Sequence, residues 1–226
     1  MLNEAPKKQK KPSNPKVTLF WRIQKEGWRR MVTPCLMYMF MSLTALSLFA
    51  LIENFVAQVI IGIVCILFGA AFNAHLLYNC GKIHYDSYVT GYLHRQNELF
   101  GVPSGGDHRA EKEYRPWKGF FIGFLVSVPA IVFACLGAIP AAKAVFMIFI
   151  SLITFWSYIP AWLTSFYHQT VLGIEGYTLS TLWCLPMTVL PVLVSGVFYI
   201  IGAYVNKHNR ETGKFPQPPA EKKKKK

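Results

Sequence analysis

From Val32 to Val205 the apolar residues gather into blocks of about twenty, and polar residues crowd the gaps between them. A helix of about twenty apolar residues crosses the hydrocarbon core of a bilayer. The blocks predict segment one at 32–52, segment two at 56–78, segment three at 119–139, segment four at 144–163 and segment five at 183–205. Only a short turn with Glu53 and Asn54 joins the first pair, and Pro140-Ala-Ala-Lys143 joins the second. Each pair therefore predicts a helical hairpin. Segment five carries Pro186 and Pro191, which remove backbone donors and predict a broken helix. The expected fold is all-α, a polytopic integral membrane protein with about five transmembrane helices and a transmembrane domain over 32–205.

The flanks carry a different pattern. Val17, Phe20, Trp21, Trp28 and Met31 recur at helical spacing with cations between them, which predicts an interfacial amphipathic helix over 17–31. A disordered basic tail is expected at 1–16, and Pro34 suits the first turn of segment one. Beyond segment two, Tyr85, Tyr88, Val89, Tyr92 and Leu99 keep the 3.6-residue period, so the helix is expected to run on to about Phe100. It enters a cytoplasmic loop at 79–118, where Gly- and Pro-rich residues 101–106 make a turn and 107–114 a short charged helix. Trp21, Trp28, Arg29, Arg30, Trp117 and Lys118 are expected at the membrane interface, where aromatic and basic side chains anchor spans. Segment four is expected to continue helically to about Val171. Residues 206–226 predict a disordered Lys-rich tail.

Composition supports the membrane class. Of 226 residues, 53% are hydrophobic and 15% charged, against about 25% charged in soluble domains. Lys and Arg number 24 against 11 acids, a net charge of +13. These cations lie outside the apolar blocks, apart from Lys143 in a turn. That distribution predicts attraction to anionic lipid headgroups and no nucleic-acid surface. With five crossings and the N-terminus inside, fifteen cations fall in the cytoplasm and nine outside. The N-terminus and loop 79–118 are thus expected to be cytoplasmic. The C-terminal lysines oppose this arrangement unless one segment is re-entrant or a sixth short crossing exists, and its prolines make segment five the suspect. The five cysteines form no C-x-x-C pair and predict neither disulfides nor zinc.

Two constellations stand out. Gly119, Gly123 and Ser127, then Ala130, Ala134 and Ala138, repeat at every fourth position, a spacing that lets helix backbones approach closely in lipid. Segment three is therefore expected at the centre of the bundle. The loop carries the only dense polar chemistry, with His84, Asp86, His94 and His108 as candidate catalytic residues for headgroup chemistry. No nucleophile elbow, zinc helix or phosphate-binding loop is present, and no cofactor is expected. Nor does any apolar core show the buried ionisable group that a coupled carrier needs. The leading expectation is a non-enzymatic subunit, scaffold or regulator acting through a membrane-protein partner or homo-oligomer. A small transporter or permease component comes second, supported by the repeated hairpins. A lipid-headgroup enzyme comes third.

Overall fold

The computed structural model describes residues 15–90, 114–174 and 179–213. All regular elements among them are helical: α1 (Pro15–Leu51), α2 (Phe55–Thr90), α3 (Trp117–Gly137), α4 (Lys143–Ile153), α5 (Phe155–Thr170), a 3-10 turn (Thr181–Cys184) and α6 (Leu185–Glu211). Four stretches, Ile23–Leu51, Phe55–Thr90, Trp117–Gly137 and Thr181–Glu211, are long and apolar enough to cross a bilayer. This is a multi-pass membrane protein. Ile60, Leu67, Leu193 and Val197 point outward, as lipid-facing residues do. Expectations for 1–14, 91–113 and 214–226, which include His94 and His108, concern residues outside those described.

The first turn shows how the sequence ends one helix and starts the next. Asn54 accepts the backbone N–H of Ala57 through Oδ1 at 3.1 Å, the usual side-chain cap of a helix start. The Gln58 amide donates to the carbonyls of Phe49 and Ile52 at 3.2 and 2.7 Å. It thereby satisfies oxygens that the end of α1 leaves without helical partners.

The order of contacts fixes the helix directions. Along α1 and α2, Glu26 meets His84, Tyr38 meets Gly69 and Phe49 meets Gly62, so the two are antiparallel. Between α2 and α6, Asn73 bonds Ser195, Gly81 abuts Tyr199 and Asn206 bonds the Lys82 carbonyl, so these two are parallel. α3 runs against α6, with Gly119 at Tyr199, Ser127 at Thr188 and Ala134 at Thr181. One end of the bundle therefore gathers the start of α1, the end of α2, the start of α3 and the end of α6. We call it the basic end.

Segment four is bent in its middle. α4 and α5 meet at Thr154 with a bend of 111°. The break lies against Ser42 of α1, which contacts the Ile153 carbonyl and accepts the Trp156 N–H at 3.1 Å. From there α5 returns toward the α1–α2 turn. Ile159 and Leu163 pack on Gly62, and Phe55 stacks on Phe166 at 6.2 Å between ring centroids. The deepest side chain of the pair is Trp156, on Tyr38 at 4.6 Å, about 18 Å along α1 from Glu26 at helical rise. The pair enters from the end opposite the basic end and goes back to it.

This geometry corrects several expectations. Four helices are long and apolar enough to cross, and the bent pair α4–α5 makes up the fifth of the about five expected. The broken segment is segment four and not segment five. α6 is unbroken, because Pro186 lies in its first turn, where a missing N–H costs nothing, and Pro191 is accommodated inside it. It also extends through 206–211, expected as tail. Residues 17–31 are the first part of a continuous α1 with no boundary before the span, and Pro34 lies inside that helix. Within the expected loop 79–118, α2 runs on as far as Thr90 among the described residues, as the period of Tyr85, Tyr88 and Val89 predicts.

Candidate functional site

At the basic end four helices bring ionisable side chains together in their shared interior. His84 of α2 is 2% exposed. Its Nε2 lies 3.1 Å from Glu26 Oε1 of α1, and its Nδ1 lies 2.9 Å from the Tyr199 hydroxyl of α6. Lys118, the second residue of α3, is 3% exposed, with Nζ 3.8 Å from Glu26 Oε2. Arg30, one turn after Glu26, places Nε 3.9 Å from Oε1. Cys80, one turn before His84, sits 3.7 Å from Nε2. A small pocket between α1 and α3 is lined by Ile23, Glu26, Gly27, His84, Lys118, Phe121 and Ile122.

Local sequence explains the convergence. Gly27 leaves room for Phe121, whose ring a Cβ would approach to 2.7 Å. α1 and α3 can therefore close over Glu26. Gly119 faces Tyr199, where a Cβ would meet the Tyr199 Cβ at 2.6 Å and the Ser195 carbonyl at 2.9 Å. Tyr199 is fully buried and stacks on Tyr114 at 5.5 Å. Burial, with Tyr85 beside it, raises the Tyr114 phenol above its ordinary pKa.

The partners assign the hydrogens. A carboxylate only accepts, so His84 Nε2–H donates to Glu26; Nδ1 then accepts from the Tyr199 hydroxyl. This is a neutral imidazole held in one tautomer by two different helices. The ion pair of Glu26 with Lys118 is strengthened by exclusion of water but carries the desolvation cost of both charges.

A second polar layer lies deeper, level with the re-entrant break. The Asn73 amide donates to Ser195 Oγ at 2.9 Å, while its Oδ1, the Tyr38 hydroxyl and Thr154 Oγ1 are buried without a hydrogen-bond partner.

Of the candidate catalytic residues, His84 belongs to the cluster. Asp86 does not; it pairs with Arg210 of α6, away from His84. Those two are not assembled into one site, and His94 and His108 lie outside the described residues. Among the described residues no group of three or more His, Cys, Asp or Glu side chains is placed to hold a metal ion. Of the interface residues, Trp21, Trp28, Arg29, Arg30 and Trp117 are exposed, but Lys118 is buried in the cluster. Gly119, Gly123, Ser127, Ala130 and Ala134 are all buried, and the first two pack on α6. Ala138 lies exposed in the turn beyond α3, so the packing row stops one turn earlier than its spacing predicts. Sequence reasoning missed Glu26 and Tyr199. The available signal was Glu26 next to Gly27 inside a helical pattern, since glycine there marks a close approach.

The chain matches no family model, no curated protein and no solved structure. Its site is read from geometry alone.

Proposed function

We propose that this protein is a small membrane carrier, or the permease component of a larger one, more than a structural subunit. The observation that carries this reading is the ionisable cluster of Glu26, His84 and Lys118, closed by Tyr199, inside a bundle of spanning helices. Charged groups are expensive in such a place and mark pathways for ions and solutes. The re-entrant pair adds to it, because non-helical backbone at membrane depth is tolerated where it is buried in protein or lines a cavity. Gly119 and Gly123 of the small-residue row pack internally against α6.

The same reading fixes an orientation. Every Lys and Arg except Lys143 belongs to a segment that begins or ends at the basic end. Positive charge marks the cytoplasmic side, so both termini and residues 91–113 are cytoplasmic in this proposal, facing anionic headgroups.

The test is purification from native membranes in mild detergent, with proteins, lipids and small solutes identified, followed by a thermal-stability screen against the solutes recovered. A solute that binds the folded state raises stability by mass action, and the carrier reading expects Lys118→Met to abolish that rise. A stoichiometric partner protein, with no stabilising solute for the isolated chain or its complex, would return the protein to the subunit class.

A further inference from the structure

We propose that the basic-end cluster is a proton-binding site, with His84 as the group that takes the proton and Tyr199 as the group that reports it to α6. The proton site rests on the geometry alone; its use in coupling rests on the carrier reading above.

His84 bonds two side chains on two different helices, Glu26 at 3.1 Å and Tyr199 at 2.9 Å. Its Nδ1 is the one ring position open to a further proton, and it faces the Tyr199 hydroxyl. Adding a proton there, taken from bulk water with no other reactant, turns the ring into a double donor. Nε2–H continues to face the Glu26 carboxylate. Nδ1–H now requires Tyr199 to accept, so the hydroxyl must turn its own hydrogen away from His84. Tyr199 is fully buried, and the displaced hydrogen must find an acceptor inside the bundle. One hydrogen bond between α2 and α6 thus reverses with one proton.

The surroundings suit such a site. The titratable and charged groups facing His84 are Glu26 and Arg30 from α1, Cys80 from its own helix, Lys118 from α3, Tyr114 just before α3, and Tyr199 from α6. Burial of the ring opposes the imidazolium, Glu26 favours it, and Lys118 and Arg30 oppose it. The Glu26 side chain is 13% exposed, which gives the cluster its contact with water. Tyr199 is also the joint of three helices, since Gly81 abuts its carbonyl and Gly119 its Cβ. A change in its hydroxyl therefore acts where α2, α3 and α6 meet.

The experiment uses the full chain in lipid nanodiscs with isotopically labelled histidine, following ring-nitrogen NMR signals between about pH 5 and 8, the range of histidine switches. His84 is assigned by the signal missing from His84→Gln. The expected result is a His84 ring that passes from one protonated nitrogen to two while the protein stays folded. Tyr199→Phe keeps the ring but removes both the donor to the neutral imidazole and the acceptor for the charged one, so the His84 midpoint should move. Glu26→Gln should lower the His84 proton affinity. A His84 signal that does not change across the range in folded protein overturns the proposal, as does a midpoint unmoved by Tyr199→Phe. Proteoliposomes with an internal pH dye separate the two readings. A titrating His84 without proton movement under an imposed gradient leaves the proton site standing and removes its role in coupling.

Discussion

Gly81 of α2 lies directly against the backbone carbonyl of Tyr199 in α6, and a Cβ at residue 81 would overlap that oxygen. Gly202 of α6 is placed the same way against the carbonyl of Tyr78 in α2. The two parallel helices thus touch backbone to backbone through this reciprocal glycine pair, with the Asn206 amide donating to the Lys82 carbonyl just beyond it at 2.7 Å. A methyl group at either glycine pushes against a helix backbone, which cannot rotate away as a side chain does. Gly81→Ala and Gly202→Ala should each destabilise by about 1–3 kcal/mol, the usual cost of overpacking. Thermal unfolding in detergent checks this. Gly173→Ala is not a fair control, because its φ of +68° penalises any side chain.

Ala134 and Ala138 should respond differently to the same change. Ala134 is fully buried, and its carbonyl accepts the Thr181 hydroxyl at 2.8 Å. Ala138 is exposed in the turn. Ala134→Leu should cost about 1–3 kcal/mol by overpacking, whereas Ala138→Leu should stay within about 0.5 kcal/mol, as surface changes do. Equal unfolding temperatures for the two variants would contradict the packing described for α3.

The span pattern, both short turns and the central place of α3 were legible, because hydropathy blocks and four-residue spacing of Gly119, Gly123, Ser127 and Ala130 report local requirements. The break at Thr154 was not. Its surroundings, Ile150-Ser-Leu-Ile-Thr-Phe-Trp156, contain neither glycine nor proline, and the break is held by Ser42, more than a hundred residues away in sequence. Conversely, Pro191 looked like a breaker and is absorbed by a helix whose neighbours fit it. Lys118 looked like an interface anchor because its identity and position suit one; only the placement of Glu26, on a helix far off in sequence, draws it inward. The conflict between two basic termini did point to an irregular segment. What the pattern lacked was any local mark of which one.

Ser42 gives a direct probe of that break. Its hydroxyl accepts the Trp156 N–H and contacts the carbonyls of Tyr38 and Ile153. Ser42→Ala leaves the buried Trp156 N–H without a partner, a loss of about 1–3 kcal/mol. Ser42→Thr keeps the hydroxyl and should lose less of that. Unfolding measured by fluorescence in a background where the other five tryptophans are Phe reports the site itself, since Trp156 packs on Tyr38.

The Glu26–Lys118 pair predicts strong non-additivity. Glu26 keeps His84 and Arg30 when Lys118 is removed, so Glu26→Gln or Lys118→Met alone should destabilise by less than the about 3–5 kcal/mol of an uncompensated buried charge. The double variant removes both charges together and should be more stable than the sum of the single losses implies. A thermodynamic cycle in detergent measures the difference, and strict additivity would mean that the two side chains do not interact in the membrane.

Topology separates the re-entrant reading from a five-span bundle. With four crossings, a cysteine placed at Lys207 reports from the same side as one placed at Trp21, while Asn54 and Leu172 report from the other. With five crossings, Lys207 moves to the side of Asn54. In a background where the five native cysteines are replaced, a membrane-impermeant maleimide applied to intact cells should label Asn54→Cys and Leu172→Cys. It should spare Trp21→Cys and Lys207→Cys until the membrane is opened, if the basic end is cytoplasmic. The same pairing with the two sides exchanged would keep the fold and reverse the orientation. Labelling of Lys207→Cys together with Asn54→Cys would mean that α5 continues through the membrane, against the contacts of Phe166 with Phe55 and of Ile159 with Gly62.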